Sequence, residues 1–115
     1  MLGAAVEVHR RLGPGFLEGV YEEALCVELR SRRIPFVRQA VITVDYKGHR
    51  VGDARLDLLV ADRLVVELKA VESLAQIHVA QLLSYLKATR LPLGLLINFN
   101  VAVLLRGVRR VVLTH

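Results

Sequence analysis

The spacing of apolar positions changes along the chain, and each change marks an element. In "LGAAVEVHRRL", residues 2–12, Leu2, Ala5, Val6, His9 and Leu12 fall on one side of a helix. Gly13-Pro14-Gly15 breaks it. A second helix is predicted through "FLEGVYEEALCVELRSRR", with acids early and arginines late, the order that complements a helix dipole. Pro35 is expected to end it. "FVRQAVITVDY" reads as a first strand, "KGHR" as a turn and "VGDARLDLLVA" as a second strand. Asp62-Arg63 turns the chain into a third strand, "LVVELKA". "SLAQIHVAQLLSYLKATR" is apolar almost all round, which predicts a helix buried on more than one side. After Pro92, "LGLLINFN" is a continuous apolar run, as in a strand covered on both faces, and "VRRVVLT" reads as an edge strand. The order α-α-β-β-β-α-β-β predicts one α/β (α+β) domain over residues 1–115, a mixed sheet flanked by helices.

Charges inside the apolar strands change that picture. Alternate strand residues share a face, so Val65, Glu67 and Lys69 are expected to point one way and Leu64, Val66, Leu68 and Ala70 the other. In the second strand Asp53, Arg55 and Asp57 are expected on one face, with Ala54, Leu56, Leu58 and Val60 opposite. If the apolar faces of this hairpin bury together, Asp57, Glu67 and Lys69 converge. Two carboxylates suit a hard cation such as Mg²⁺, and a lysine beside them can orient water or meet phosphate charge. Against this stands an ordinary ion pair between Glu67 and Lys69 at a sheet edge.

Other candidates are weaker alone. Gln81 and Tyr85 share a helix face, with His78 a turn earlier. Glu18 suits a helix start, and His9 lies on an apolar side, where a satisfied core histidine is the usual outcome. The net charge of +5 attracts phosphates, although an arginine-rich composition needs no nucleic acid to explain it. "RSRR" and "GVRR" are either solvated charge or phosphate contacts. The single cysteine, Cys26, excludes an internal disulfide and fits a reducing, cytoplasmic setting. The start "MLGAAVEVHRRLG" carries charge inside its apolar run, unlike a secretory signal. No apolar run reaches the roughly 18 residues of a membrane span. A Gly-rich phosphate loop and a Cys/His zinc cluster are both lacking.

Taken together, "GFLEGVY", "LGPGFLE", "VELKAVE", "AQLLSYLK" and "GLLINFN" resemble, in that order, the GxxExxY protein family of the PD-(D/E)xK nuclease-like superfamily. The resemblance runs from about Val6 nearly to the C-terminus. It implies a restriction-endonuclease-like PD-(D/E)xK core. Asp57 and Glu67 then look like metal carboxylates, Lys69 like the catalytic lysine, and the Leu68 carbonyl like a further metal ligand. Gln81 and Tyr85 resemble the Q-x-x-x-Y helix motif of the RecB-type branch. Glu18 resembles a helix carboxylate that some members add to the metal, and His9 takes the place of an N-terminal metal histidine.

The reading implied is a Mg²⁺- or Mn²⁺-dependent nuclease that hydrolyses phosphodiester bonds, with DNA as the expected nucleic acid. Arg10, Arg11 and Arg55 are expected to hold phosphates. The rivals are a non-catalytic nucleic-acid-binding module on the same fold and an interaction subunit working as a homodimer or with a protein partner.

Overall fold

The computed structural model describes residues 1–114. Helices α1 (Leu2–Leu12) and α2 (Glu18–Ser31) precede strands β1 (Phe36–Tyr46), β2 (His49–Val60) and β3 (Leu64–Lys69). Helix α3 (Gln76–Thr89), strand β4 (Leu93–Asn98), a 3₁₀ turn (Leu104–Gly107) and strand β5 (Val108–Val112) complete the order. The five strands form one sheet in the order β1-β2-β3-β4-β5. Only β3 and β4 run parallel, joined by the α3 crossover; the other neighbours are antiparallel. The expected mixed sheet flanked by helices is the observed architecture.

Two cores sandwich the sheet. On one face Leu58, Val60, Val66, Leu68, Leu95 and Ile97 pack under α1 and α2. On the other, Leu56, Val65, Leu96 and Val111 pack against Leu82 and Leu86 of α3. Strand β4 supplies both cores, which accounts for its unbroken apolar run. Gly94 lets α3 come close: a Cβ there would meet the Leu82 side chain at 2.9 Å.

The structure corrects three details of patterning. In α1 the buried stripe is Ala4, Ala5, Val8 and His9, while Val6 faces solvent. Helix α3 buries one side only. Leu82 and Leu86 are its fully buried residues and Ile77 is 70% exposed, so apolar content on the outer side marks no second contact there. Helix α2 stops at Ser31, four residues before Pro35, because Arg33 turns left-handed (φ 57°) and the Ile34 N–H closes back on the Leu29 carbonyl at 3.0 Å.

The fourth correction positions the site. Leu56 and Leu58 do not share a face: Leu56 joins the α3 core and Leu58 the α1/α2 core. The period-2 alternation therefore slips at Asp57, which stands in register between the two flanking pairs Arg38↔Leu58 and Ala40↔Leu56, opposite Gln39. Gln39 is left-handed (φ 54°), a conformation outside the strand region that resets the facing of the residues after it. The face proposed for Ala54, Leu56, Leu58 and Val60 is thus two half-faces joined at Asp57.

Candidate active site

The β2–β3 ladder runs through Val60↔Leu64, Leu59↔Val65 and Leu58↔Val66 and then stops. One step further in the same register would set Asp57 opposite Glu67. There the side chains replace the main-chain ladder. The Asp57 N–H donates to Glu67 Oε2 at 2.9 Å, and the Leu68 N–H donates to Asp57 Oδ2 at 2.8 Å. Each carboxylate thus fixes the other's strand, with Asp57 Oδ1 and Glu67 Oε1 left outside these two bonds. Gln39 Nε2 approaches Asp57 Oδ1 at 3.4 Å while bonding Glu22 Oε1 at 2.8 Å.

Glu67 is only 5% exposed. Burial, followed by the neighbouring Asp57 charge, pushes its carboxyl up to about 8; Lys69 pulls the other way. Lys69 is two residues along β3, at its carboxyl end, opposite Asn98 of β4. Val65, on the same alternation as Glu67 and Lys69, lies in the α3 core, so these charges sit on the α3 side.

Glu18 reaches the cluster from the first turn of α2. Its carboxyl is raised by burial and by the Asp57 charge, and Lys69 opposes the shift. Tyr21 holds the preceding turn. This fully buried side chain stacks on Phe99 with centroids 4.6 Å apart. Its hydroxyl donates to the Gly13 carbonyl at 2.6 Å and accepts the Phe16 N–H at 3.1 Å. Gly15 takes φ 109° in the same turn, a value that a Cβ strains. In "GFLEGVY" the glycine therefore permits the turn, the tyrosine staples it, and the glutamate is delivered at the helix start.

From the opposite side, Tyr85 of α3 is half-buried, and its hydroxyl is raised by burial and then by the Glu67 and Asp57 charges. Gln81 lies one turn earlier and is exposed. The structure thus gathers Glu18, Asp57, Glu67, Lys69 and Tyr85 into one electrostatic cluster.

Other candidates stand apart from the cluster or are engaged elsewhere. His9 Nε2 lies 2.7 Å from the Val101 carbonyl, tying α1 to the segment after β4. His78 Nδ1 accepts the Ala75 N–H at 3.0 Å, closing the start of α3. Arg10 and Arg11 both bond Glu7 on their own helix, and Arg55 is exposed on β2 opposite Val41. Among the described residues no three His, Cys, Asp or Glu side chains converge closely enough to hold a metal ion. The carboxylate pair Asp57 and Glu67, with main-chain oxygens such as that of Leu68, is therefore the set that could take a hard cation. Gln39 and Glu22 escaped sequence reasoning: neither the left-handed turn at Gln39 nor its reach between two carboxylates leaves a trace in residue type or spacing.

No curated protein and no solved structure matches the chain significantly. A family model described as the PD-(D/E)XK nuclease superfamily matches residues 1–111, a span that includes the whole cluster, and the chain belongs to that superfamily.

Proposed function

We propose that the protein is a Mg²⁺- or Mn²⁺-dependent nuclease that hydrolyses phosphodiester bonds in DNA, of the GxxExxY type with the helix motif of the RecB-type branch. Nucleases of this superfamily generally use divalent metal ions. The donor set fits such an ion. Two carboxylates on neighbouring strands offer hard oxygens, and Glu67, whose carboxyl is raised by burial and then by the Asp57 charge, is a group whose ionised form a dication would favour. The observation that carries the reading is this mutual lock of Asp57 and Glu67, with Lys69 on the same strand.

In the proposed reaction Asp57 and Glu67 hold the metal, with the Leu68 carbonyl as a further oxygen and Glu18 acting at longer range. A bound dication lowers the pKa of water and offsets phosphate charge. Lys69 orients the attacking water and donates hydrogen bonds to the phosphate as its charge grows. Tyr85 and Gln81 position the strand from α3. His9 keeps its contact with Val101 and supports the loop. Arg10, Arg11 and Arg55 offer exposed positive charge for more distant phosphates.

The test is a cleavage assay on single- and double-stranded DNA and on RNA, with Mg²⁺, Mn²⁺ or EDTA, beside Glu67→Ala and Lys69→Ala. The expected result is metal-dependent cutting of DNA by the wild type and loss in both variants. Binding with the substrate left intact would make the chain a non-catalytic nucleic-acid module instead. Equal cutting by wild type and both variants would remove the cluster from the mechanism.

A further inference from the structure

The run "GVRR" lies outside the carboxylate cluster, and its place in the fold is specific. Strands β3 and β4 are parallel, so their carboxyl ends, Lys69 and Asn98, open on the same side. Crevices beyond the carboxyl ends of parallel strands are favoured ligand sites. Here the crevice is built by Asn98, which is 2% exposed. Its Oδ1 accepts the Val71 and Asn100 N–H groups at 3.0 and 3.2 Å, and its Nδ2 donates to the Val71 carbonyl at 2.9 Å. One side chain thus ties the exit of the catalytic strand to the exit of β4. The 3₁₀ turn closes over it at Gly107, where a Cβ would stand 2.3 Å from the Asn98 carbonyl oxygen.

The result is a recess of about 170 Å³ whose polar lining is Glu72, Ser73, Asn98, Arg106 and Arg109. Arg10, Arg11, Arg32, Arg38 and Arg50 all have carboxylate partners. Among the described residues, Arg106 and Arg109 have no ion pair, as is true of Arg30, Arg33, Arg55, Arg63, Arg90 and Arg110; what sets the two apart is that both line this one recess, together with Glu72. Arg109 stands opposite Leu96, which stands opposite Glu67, so Arg109 shares a cross-strand row with the catalytic carboxylate. Two strand spacings separate their backbones by about 10 Å.

We propose that this recess, through Arg106, Arg109 and Ser73, binds a second phosphate of the nucleic-acid strand whose scissile bond lies at Asp57, Glu67 and Lys69. The proposal rests on the nuclease reading. Paired guanidiniums give planar, forked recognition of phosphate. The phosphate is either internal to the strand or at its end, and a terminal one would measure cutting from that end.

The test uses fluorescence anisotropy with labelled DNA oligonucleotides carrying a 5′-phosphate, a 3′-phosphate or neither. It is run across salt with the full chain in the Lys69→Ala background so that substrate survives. Arg106→Gln/Arg109→Gln is compared with a charge-matched control, Arg33→Gln/Arg63→Gln, at the opposite end of β3. The expected result is at least a tenfold weaker affinity and a salt slope smaller by about 1 to 2 for the recess variant, beyond any change in the control. Arg109→Lys should keep the slope and lose part of the affinity. A terminal source makes unphosphorylated DNA bind wild type as weakly as it binds the recess variant; an internal source makes end groups irrelevant. Equal losses in recess and control variants, or none in the recess variant, overturn the proposal. Thermal melts of both double variants confirm that each is folded. A titration of inorganic phosphate separates the two claims. Phosphate bound through the arginines by a chain that cuts no nucleic acid defeats the nuclease reading and keeps the recess. Metal-dependent cutting with unaltered binding in the recess variant does the reverse.

Discussion

Glu67 and Asp57 each accept a hydrogen bond from a backbone N–H of the other's strand, at 2.9 Å from Asp57 and 2.8 Å from Leu68. The main-chain ladder thus gives way here to two carboxylate side chains, each held by a backbone N–H group rather than by a flexible partner. Such anchoring fixes two like charges close together in a partly dry site, at a cost to stability.

That cost predicts a trade between stability and function. Glu67→Gln keeps an oxygen acceptor for the Asp57 N–H and removes the charge. In EDTA at pH 9 its melting temperature should exceed that of the wild type. Added Mg²⁺ should stabilise the wild type and not the variant, and cleavage should fall at least about 100-fold. A variant that melts below wild type in EDTA, or that still gains stability from Mg²⁺, contradicts this account of the pair.

The same pair sets a pH dependence for the metal-free protein. The Glu67 carboxyl moves from 4.5 to about 8 on folding, so between those values the folded state binds more protons than the unfolded one. Stability should accordingly fall as pH rises through that window and level off above it. Glu18 is shifted in the same direction and adds to the decline. Melting curves from pH 5 to 9 in EDTA should slope downward, and saturating Mg²⁺ should flatten them by offsetting the charge. A flat or rising profile in EDTA would falsify the assignment of a crowded, buried Glu67.

Much of this was legible in the chain. The alternation in "RLVVELKAVE" placed Glu67 and Lys69 on one side of a strand, and Val65, their companion, does lie in the α3 core. The tight β2–β3 turn likewise put Asp57 within reach. The second strand departs from a regular alternation, with Leu56 and Leu58 in different cores. A strict period of two has no provision for Gln39 at φ 54°, and the slip at Asp57 follows from that backbone conformation. Helix α3 was hard to read for a different reason: alanines and an exposed Ile77 raise its apolar content without creating a contact. His78 and His9 carried no signal of their partners, because a main-chain N–H in one case and a carbonyl in the other satisfy them.

Tyr21→Phe tests the staple behind Glu18. The variant keeps the stack on Phe99 but loses both hydroxyl bonds, to Gly13 and from Phe16. Losing these two part-buried hydrogen bonds, at about 0.5–1.5 kcal/mol each, should cost about 1–3 kcal/mol in urea unfolding. If the staple positions Glu18, the variant should also need several-fold more Mg²⁺ for half-maximal cleavage, and adding Glu18→Gln should bring little further loss. Fully additive losses would make Tyr21 a packing residue with no bearing on Glu18.

The two glycines of "GFLEGVY" should respond in opposite directions to alanine. Gly15 sits at φ 109°, a backbone region that an L side chain rarely enters, although nothing lies within 4 Å of the added Cβ. Gly15→Ala should lose about 1–3 kcal/mol from strain alone. Gly19 is also open on all sides, but it occupies the first turn of α2 without a positive φ. There alanine removes conformational freedom from the unfolded chain and suits the helix, so Gly19→Ala should gain up to about 1 kcal/mol. Chemical denaturation of the two variants checks both signs at once. Since neither side chain would touch a neighbour, a loss at both positions would mean that the turn depends on something other than backbone conformation. With opposite signs, Gly15 is required for the turn that carries Glu18 to the carboxylate pair, and Gly19 is dispensable to it.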